Sequence, residues 1–109
     1  MKPAQQDEYP LHLFVSNQSL ALDPSAVEVS VDGRQIFQRE LSTGTQHTWE
    51  RATISAPRGK HTLTIREAKT QTRRSQEVDV DRELWIVITF HGPPAQLKVD
   101  VFDHPVGLM

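Results

Sequence analysis

Apolar side chains recur along this chain at every second position. Val27, Val29 and Val31 alternate with Glu28, Ser30 and Asp32, and Leu63 and Ile65 alternate with Thr62, Thr64 and Arg66. Val78 and Val80 lie between Glu77, Asp79 and Asp81, while Leu97, Val99 and Val101 are separated by Lys98 and Asp100. Successive side chains of a strand point to opposite faces, so each run reads as a strand with one buried and one wet face. The β-branched residues that fill the runs suit a pleated surface. Strands are expected over 11–17, 26–32, 34–41, 46–55, 60–68, 73–81, 84–91 and 95–103. No long stretch carries the 3.6-residue period of an amphipathic helix.

Turn chemistry punctuates these runs. Asp32-Gly33 marks a hairpin, because its tight turn needs the positive φ that Asp and Gly tolerate. Asp23-Pro24-Ser25, Pro57-Arg58-Gly59 and Gly92-Pro93-Pro94 are loop clusters. About eight short strands at this spacing predict an all-β fold, an antiparallel β-sandwich of immunoglobulin-like type. One domain is expected over 11–103, between a polar arm (1–10) and a short tail (104–109). The expected core is Val27, Val29, Val31, Ile54, Leu63, Ile65, Val78, Val80, Ile86, Ile88, Val99 and Val101.

One run breaks the alternation. Leu84-Trp85-Ile86-Val87-Ile88-Thr89-Phe90 is apolar at both parities. Such a strand is either central and covered on both faces or has an outer face that meets a partner; the first is expected here.

Composition narrows the function classes. The 109 residues carry 12 Lys+Arg against 14 Asp+Glu, a formal charge of -2, which argues against a nucleic-acid binder with a basic stripe. The absence of cysteine removes disulfide scaffolds, thiol catalysis and cysteine-ligated zinc. No apolar run approaches the ~20 residues of a membrane helix. Met1–Glu8 lacks the apolar core of a secretory signal, which suggests a cytoplasmic chain; a secreted or periplasmic chain whose leader had been removed would begin the same way.

Between residues 27 and 90 the chain resembles the PEGA-type family of small immunoglobulin-like domains. The matching pieces are Val29-Ser30-Val31-Asp32-Gly33-Arg34, Pro57-Arg58-Gly59-Lys60-His61-Thr62-Leu63-Thr64-Ile65 and Val78-Asp79-Val80; the Pro-Glu-Gly-Ala signature itself does not occur. The resemblance implies a small β-sandwich acting as an accessory interaction module with no active site, and it transfers no functional residues.

Four constellations are candidates for chemistry. Glu77, Asp79, Asp81 and Glu83 would line one face of a continuous strand, and Glu77, Asp79 and Asp81 could give two or three oxygens to calcium. The simpler reading is a charged face that blocks edge pairing. Arg66, Lys69, Arg73 and Arg74 cluster at a hairpin tip, where guanidinium groups can hold phosphate or carboxylate; pairing with Glu67 and Glu77 would neutralise them. Trp49 and Trp85 can stack on a sugar or anchor an interface, although Trp85 is expected mainly as a core plug. The five histidines never fall within four residues of one another, so no compact zinc motif forms.

No nucleophile elbow or phosphate-cradling glycine loop is present. The function expected from sequence is therefore non-catalytic and needs no cofactor: a protein-binding or self-associating module using a sheet edge or the Trp85 face. The alternative is a carbohydrate-binding module, with calcium as a possible assistant.

Overall fold

The structure is a computed structural model that describes residues 7–19, 24–41 and 49–106. Eight strands follow one another: β1 Glu8–Asn17, β2 Ser25–Val31, β3 Arg34–Leu41, β4 Glu50–Pro57, β5 Gly59–Glu67, β6 Thr72–Val80, β7 Leu84–His91 and β8 Gln96–Phe102. They form two four-stranded sheets, β4-β1-β7-β8 and β3-β2-β5-β6, called here the first and second sheet. Every pairing is antiparallel except β1 with β7, which is parallel. Both sheets feed one hydrophobic cluster, an arrangement consistent with a β-sandwich.

The strand order places β1 between β4 and β7, and puts β2 and β5 beside β3 and β6. In the constant-type immunoglobulin order the first, second, fifth and fourth strands share one sheet. The all-β, two-sheet class expected from the alternation holds, and the strand order differs from that constant-type arrangement.

Seven of the eight expected strands lie within three residues of the observed ones at each end. β4 begins at Glu50, and the expected start at 46–48 falls outside the described residues. β1 begins at Glu8, so residues 8–10 of the expected arm are paired strand, while 1–6 and 107–109 also lie outside the described residues. The hairpin at Asp32-Gly33 has φ of 52° and 83°, the double positive value that a two-residue primed turn demands.

The core holds Val27, Val29, Leu63, Ile65, Val78, Val80, Ile86, Ile88 and Val99 as expected. Val31 and Ile54 are only partly buried, and Val101 is 40% exposed. Val101 sits on the inward column of edge strand β8, opposite Ile86, where one flank lacks a neighbour. The core also contains Leu11, Leu13 and Val15 of β1 and Phe37, Leu84, Phe90 and Leu97. Burying each such side chain contributes about 1.5–3 kcal/mol against the entropy of ordering the chain.

Glu67 is a correction to the expected wet hairpin. It follows Leu63 and Ile65 on the inward parity of β5 and is fully buried. Its carboxylate accepts hydrogen bonds from the Ala26 N–H at 2.5 Å, the Thr70 N–H at 2.7 Å and the Thr70 hydroxyl at 2.9 Å. One side chain thereby ties the start of β2 to the β5–β6 turn. A second polar tie is the buried Asn17, whose side-chain N–H donates to the Leu41 carbonyl at 2.9 Å and links the two sheets.

Candidate functional site

The two outer faces of the molecule differ in chemistry. On the second sheet the outward positions of β2, β5 and β6 are polar, with Glu28, Ser30, Thr62, Thr64, Arg66, Arg73, Ser75 and Glu77 among them. This is the face that alternation predicts. On the first sheet the outward rows are aromatic and apolar. Register places Arg51, Phe14, Val87 and Asp100 side by side across β4, β1, β7 and β8. The adjacent row is Thr53, His12, Trp85 and Phe102.

Local contacts fix these side chains. The Trp85 ring stacks on His12, centroids 5.2 Å apart and planes 25° from parallel. His12 is held from both sides, its Nε2 2.5 Å from Glu83 and its Nδ1 3.2 Å from the Thr53 hydroxyl. The Arg51 guanidinium lies over the Phe14 ring at 5.4 Å, a cation–π contact. Phe102 packs against the His104 ring at 5.6 Å. Val87 is buried in spite of facing outward, whereas Phe14, Trp85 and Phe102 are half-buried.

Trp85 is thus not the core plug expected of it. Leu84, Ile86, Ile88 and Phe90 take the inward parity of β7, which leaves Trp85 and Val87 on the outer side of a central strand. No described element covers that side. Trp49 is half-buried and lies immediately before β4.

The basic cluster is dispersed by its own alternation. Arg66 pairs with Glu28 at 3.0 Å, not with Glu67. Lys69 reaches the Pro24 carbonyl and Glu40. Arg73 stands opposite Arg66 on the outer face, while Arg74 turns the other way and donates to the Leu97 carbonyl at 3.2 Å, closing the β6–β8 side of the molecule. Of the four, Arg66 and Arg73 share the outer face of the second sheet, while Lys69 and Arg74 turn to other partners.

The acidic ladder also breaks. Glu77 and Asp79 share the outer face of β6, but the strand ends at Val80. Asp81 pairs with Arg82 at 3.1 Å, and Glu83 crosses to His12 on the first sheet. Glu77 lies 3.9 Å from Lys60. Among the described residues no three His, Asp or Glu side chains gather as a metal site.

Opposite the closed side, edge strands β3 and β4 leave a cleft of about 630 Å³ lined by Val31, Arg34, Ile36, Ile54, Ser55 and His61, with Asp32, Gln35, Ala56 and Pro57. At its end His61 Nδ1 meets the Asp32 carboxylate at 2.6 Å, and Nε2 meets the Pro57 carbonyl at 2.6 Å. Both ring nitrogens face acceptors, so the geometry favours the protonated ring, which donates from both. A ring so engaged has no lone pair with which to take a proton; it serves as a clamp joining β5 to the β2–β3 turn and the end of β4. Asp32 also accepts from the Thr62 N–H at 2.8 Å.

These contacts set a pH window. The Thr62 N–H and then the His61 ring hold the Asp32 carboxyl below its ordinary value of 3.8. The Asp32 carboxylate and then the Pro57 carbonyl raise His61 above 6.5, against the opposing effect of burial. The raised histidine contributes stability below 6.5 and loses it as pH climbs through its higher folded value. The lowered carboxyl contributes above 3.8 and loses it as pH falls through its lower folded value. Thermal melts of the wild type and His61→Gln are expected to differ most between the ordinary carboxyl value of 3.8 and the ordinary imidazole value of 6.5, and the difference is expected to shrink as pH rises through the higher folded value of His61. A difference independent of pH would refute the charged clamp.

Among the described residues no helix is long and apolar enough to cross a membrane. Comparison with known proteins finds no family whose profile matches this chain and no curated protein similar to it.

Proposed function

We propose that this protein is a non-catalytic interaction module that binds protein through the outer face of its first sheet. The observation that carries the reading is the contrast between the two outer faces. Phe14, Trp85, Val87 and Phe102 form a continuous outward band where an exposed antiparallel sheet ordinarily alternates to polar residues. Aromatic anchors within a polar rim, here Thr53, Glu83, Lys98 and Asp100, are the usual make-up of a protein interface. Each of the half-buried rings is held by a neighbour before any partner arrives, which lowers the entropy lost on binding.

The resemblance of residues 27–90 to PEGA-type domains supports the same accessory role. We retain the immunoglobulin-like kinship at the level of two packed sheets only, since the strand order differs from the constant-type one. The clamped His61 further supports a binding module over a hydrolase, because the histidine that lines the cleft among the described residues is fully engaged.

Site-specific photo-cross-linking tests the reading. A benzophenone side chain at position 102, on the outer face of the first sheet, is expected to trap a protein in cells expressing the chain. The same group at position 75, on the polar face, is expected to trap none. Equal labelling from both positions, or none from position 102, would remove the proposal.

A further inference from the structure

The rows of the first sheet are arranged so that the face is complementary to itself. Arg51 stands on edge strand β4 and Asp100 on edge strand β8, three strand spacings apart, about 14 Å at the usual separation. Phe14 and Val87 lie between them. Neither charge is spent inside the chain: Arg51 makes its cation–π contact with Phe14 and, among the described residues, neither group has an ion pair.

From this we infer that the partner seated on the Phe14–Trp85–Phe102 face is a second copy of this chain, related by a two-fold axis parallel to the strands between β1 and β7. The inference rests on the binding face proposed above. Such an axis turns each row over onto itself with its ends exchanged. Arg51 then lies over Asp100 of the partner subunit, and Phe14 over Val87 of the partner subunit. In the adjacent row Thr53 meets Phe102 of the partner subunit, and His12 meets Trp85 of the partner subunit. No charged side chain in either row is set against its own copy, so the contact carries two opposite-charge pairs and no like-charge pair. Lys98, at the β8 edge, and Glu83, held by His12, lie at the margin of these rows.

Sheets stacked face to face keep their strands within about 30° of each other, which holds these rows in register near the axis. Closure by a two-fold axis also leaves no complementary surface free to continue a polymer. Four strands about 4.8 Å apart and about seven residues long give a flat face near 450 Å² per copy. That falls short of the roughly 800 Å² per partner of a standard interface, so the dimer is expected to be weak, with Kd in the micromolar range.

Sedimentation velocity from about 1 µM to 1 mM tests it on four proteins: wild type, Arg51→Asp, Asp100→Arg and the double exchange. The wild type is expected to pass from monomer to dimer across this range. Each single exchange sets like charges together and is expected to weaken the dimer about tenfold or more, whereas the double exchange restores the pair and returns Kd to within about threefold of the wild type. A wild type monomeric at every concentration, or a double exchange no better than the singles, would overturn the inference. If the wild type is monomeric and position 102 cross-links a different protein, the second copy is excluded while the binding face stands. If position 102 cross-links nothing, both fall.

Discussion

Glu67→Ala is expected to lower the free energy of unfolding by about 2–4 kcal/mol, a large share of the stability of a domain this size. The carboxylate is fully buried and is the acceptor for three donors, the Ala26 N–H, the Thr70 N–H and the Thr70 hydroxyl. Truncation removes the acceptor and leaves those donors to find water at the end of the core. Hydrogen bonds to a charged acceptor are each worth more than neutral ones, and a stranded buried donor costs more than the bond it lost. Glu67→Gln keeps the volume but presents one oxygen and two N–H donors where donors already converge, so it should recover only part of the loss. Glu77→Ala is the control, an exposed carboxylate 3.9 Å from Lys60 whose removal should matter by less than about 0.5 kcal/mol. Urea titrations of the four proteins, with m unchanged, check the order. If Glu67→Ala falls within 0.5 kcal/mol of wild type, the buried staple is not structural.

Phe90→Ala should cost still more, about 3–5 kcal/mol, because it removes a large side chain and leaves a cavity that rigid strands on either side cannot fill. Phe90 is 1% exposed, on central strand β7, in register with Asn17 of β1 and Leu97 of β8. Phe102→Ala, on the outer face of the same sheet, removes the same atoms from a half-buried position and should cost about 1 kcal/mol in a monomer. The pair separates inner from outer parity on neighbouring strands by stability alone. Equal losses for the two would contradict the assignment of faces.

Much of the molecule was legible in the chain. The alternation located the strands, and Asp32-Gly33 located a turn whose two positive φ values leave few other residue choices. Parity failed where its premises failed. In β7 both parities are apolar, so alternation alone could not set the face of Trp85; Ile86 and Ile88 lie in the core as expected, while Trp85 takes the outer side and does not plug it. Parity did place Glu67 inward, after Leu63 and Ile65, but its charge suggested solvent instead. The ladder of Glu77, Asp79, Asp81 and Glu83 assumed a strand that stops at Val80, and adjacency of Arg73 and Arg74 hid the fact that neighbours in a strand face opposite ways. The signal for the outer band was also present: Phe14 interrupts the polar parity of β1, as Trp85 and Val87 do in β7.

A local rule of side-chain direction lets the sequence alone determine that this chain builds strands, where they turn, and which residues of the regular ones enter the core. It does so because strand parity depends only on neighbours along the chain. Which strands lie side by side depends on contacts between residues far apart in sequence, and only the tertiary structure decided that. The parallel union of β1 with β7 sets Phe14 beside Val87 and His12 beside Trp85, and their antiparallel outer neighbours bring Arg51 and Asp100 to the two edges. The aromatic face is a product of that pairing, spread over four strands of which no two adjacent in the sheet, save β7 and β8, are consecutive in the chain.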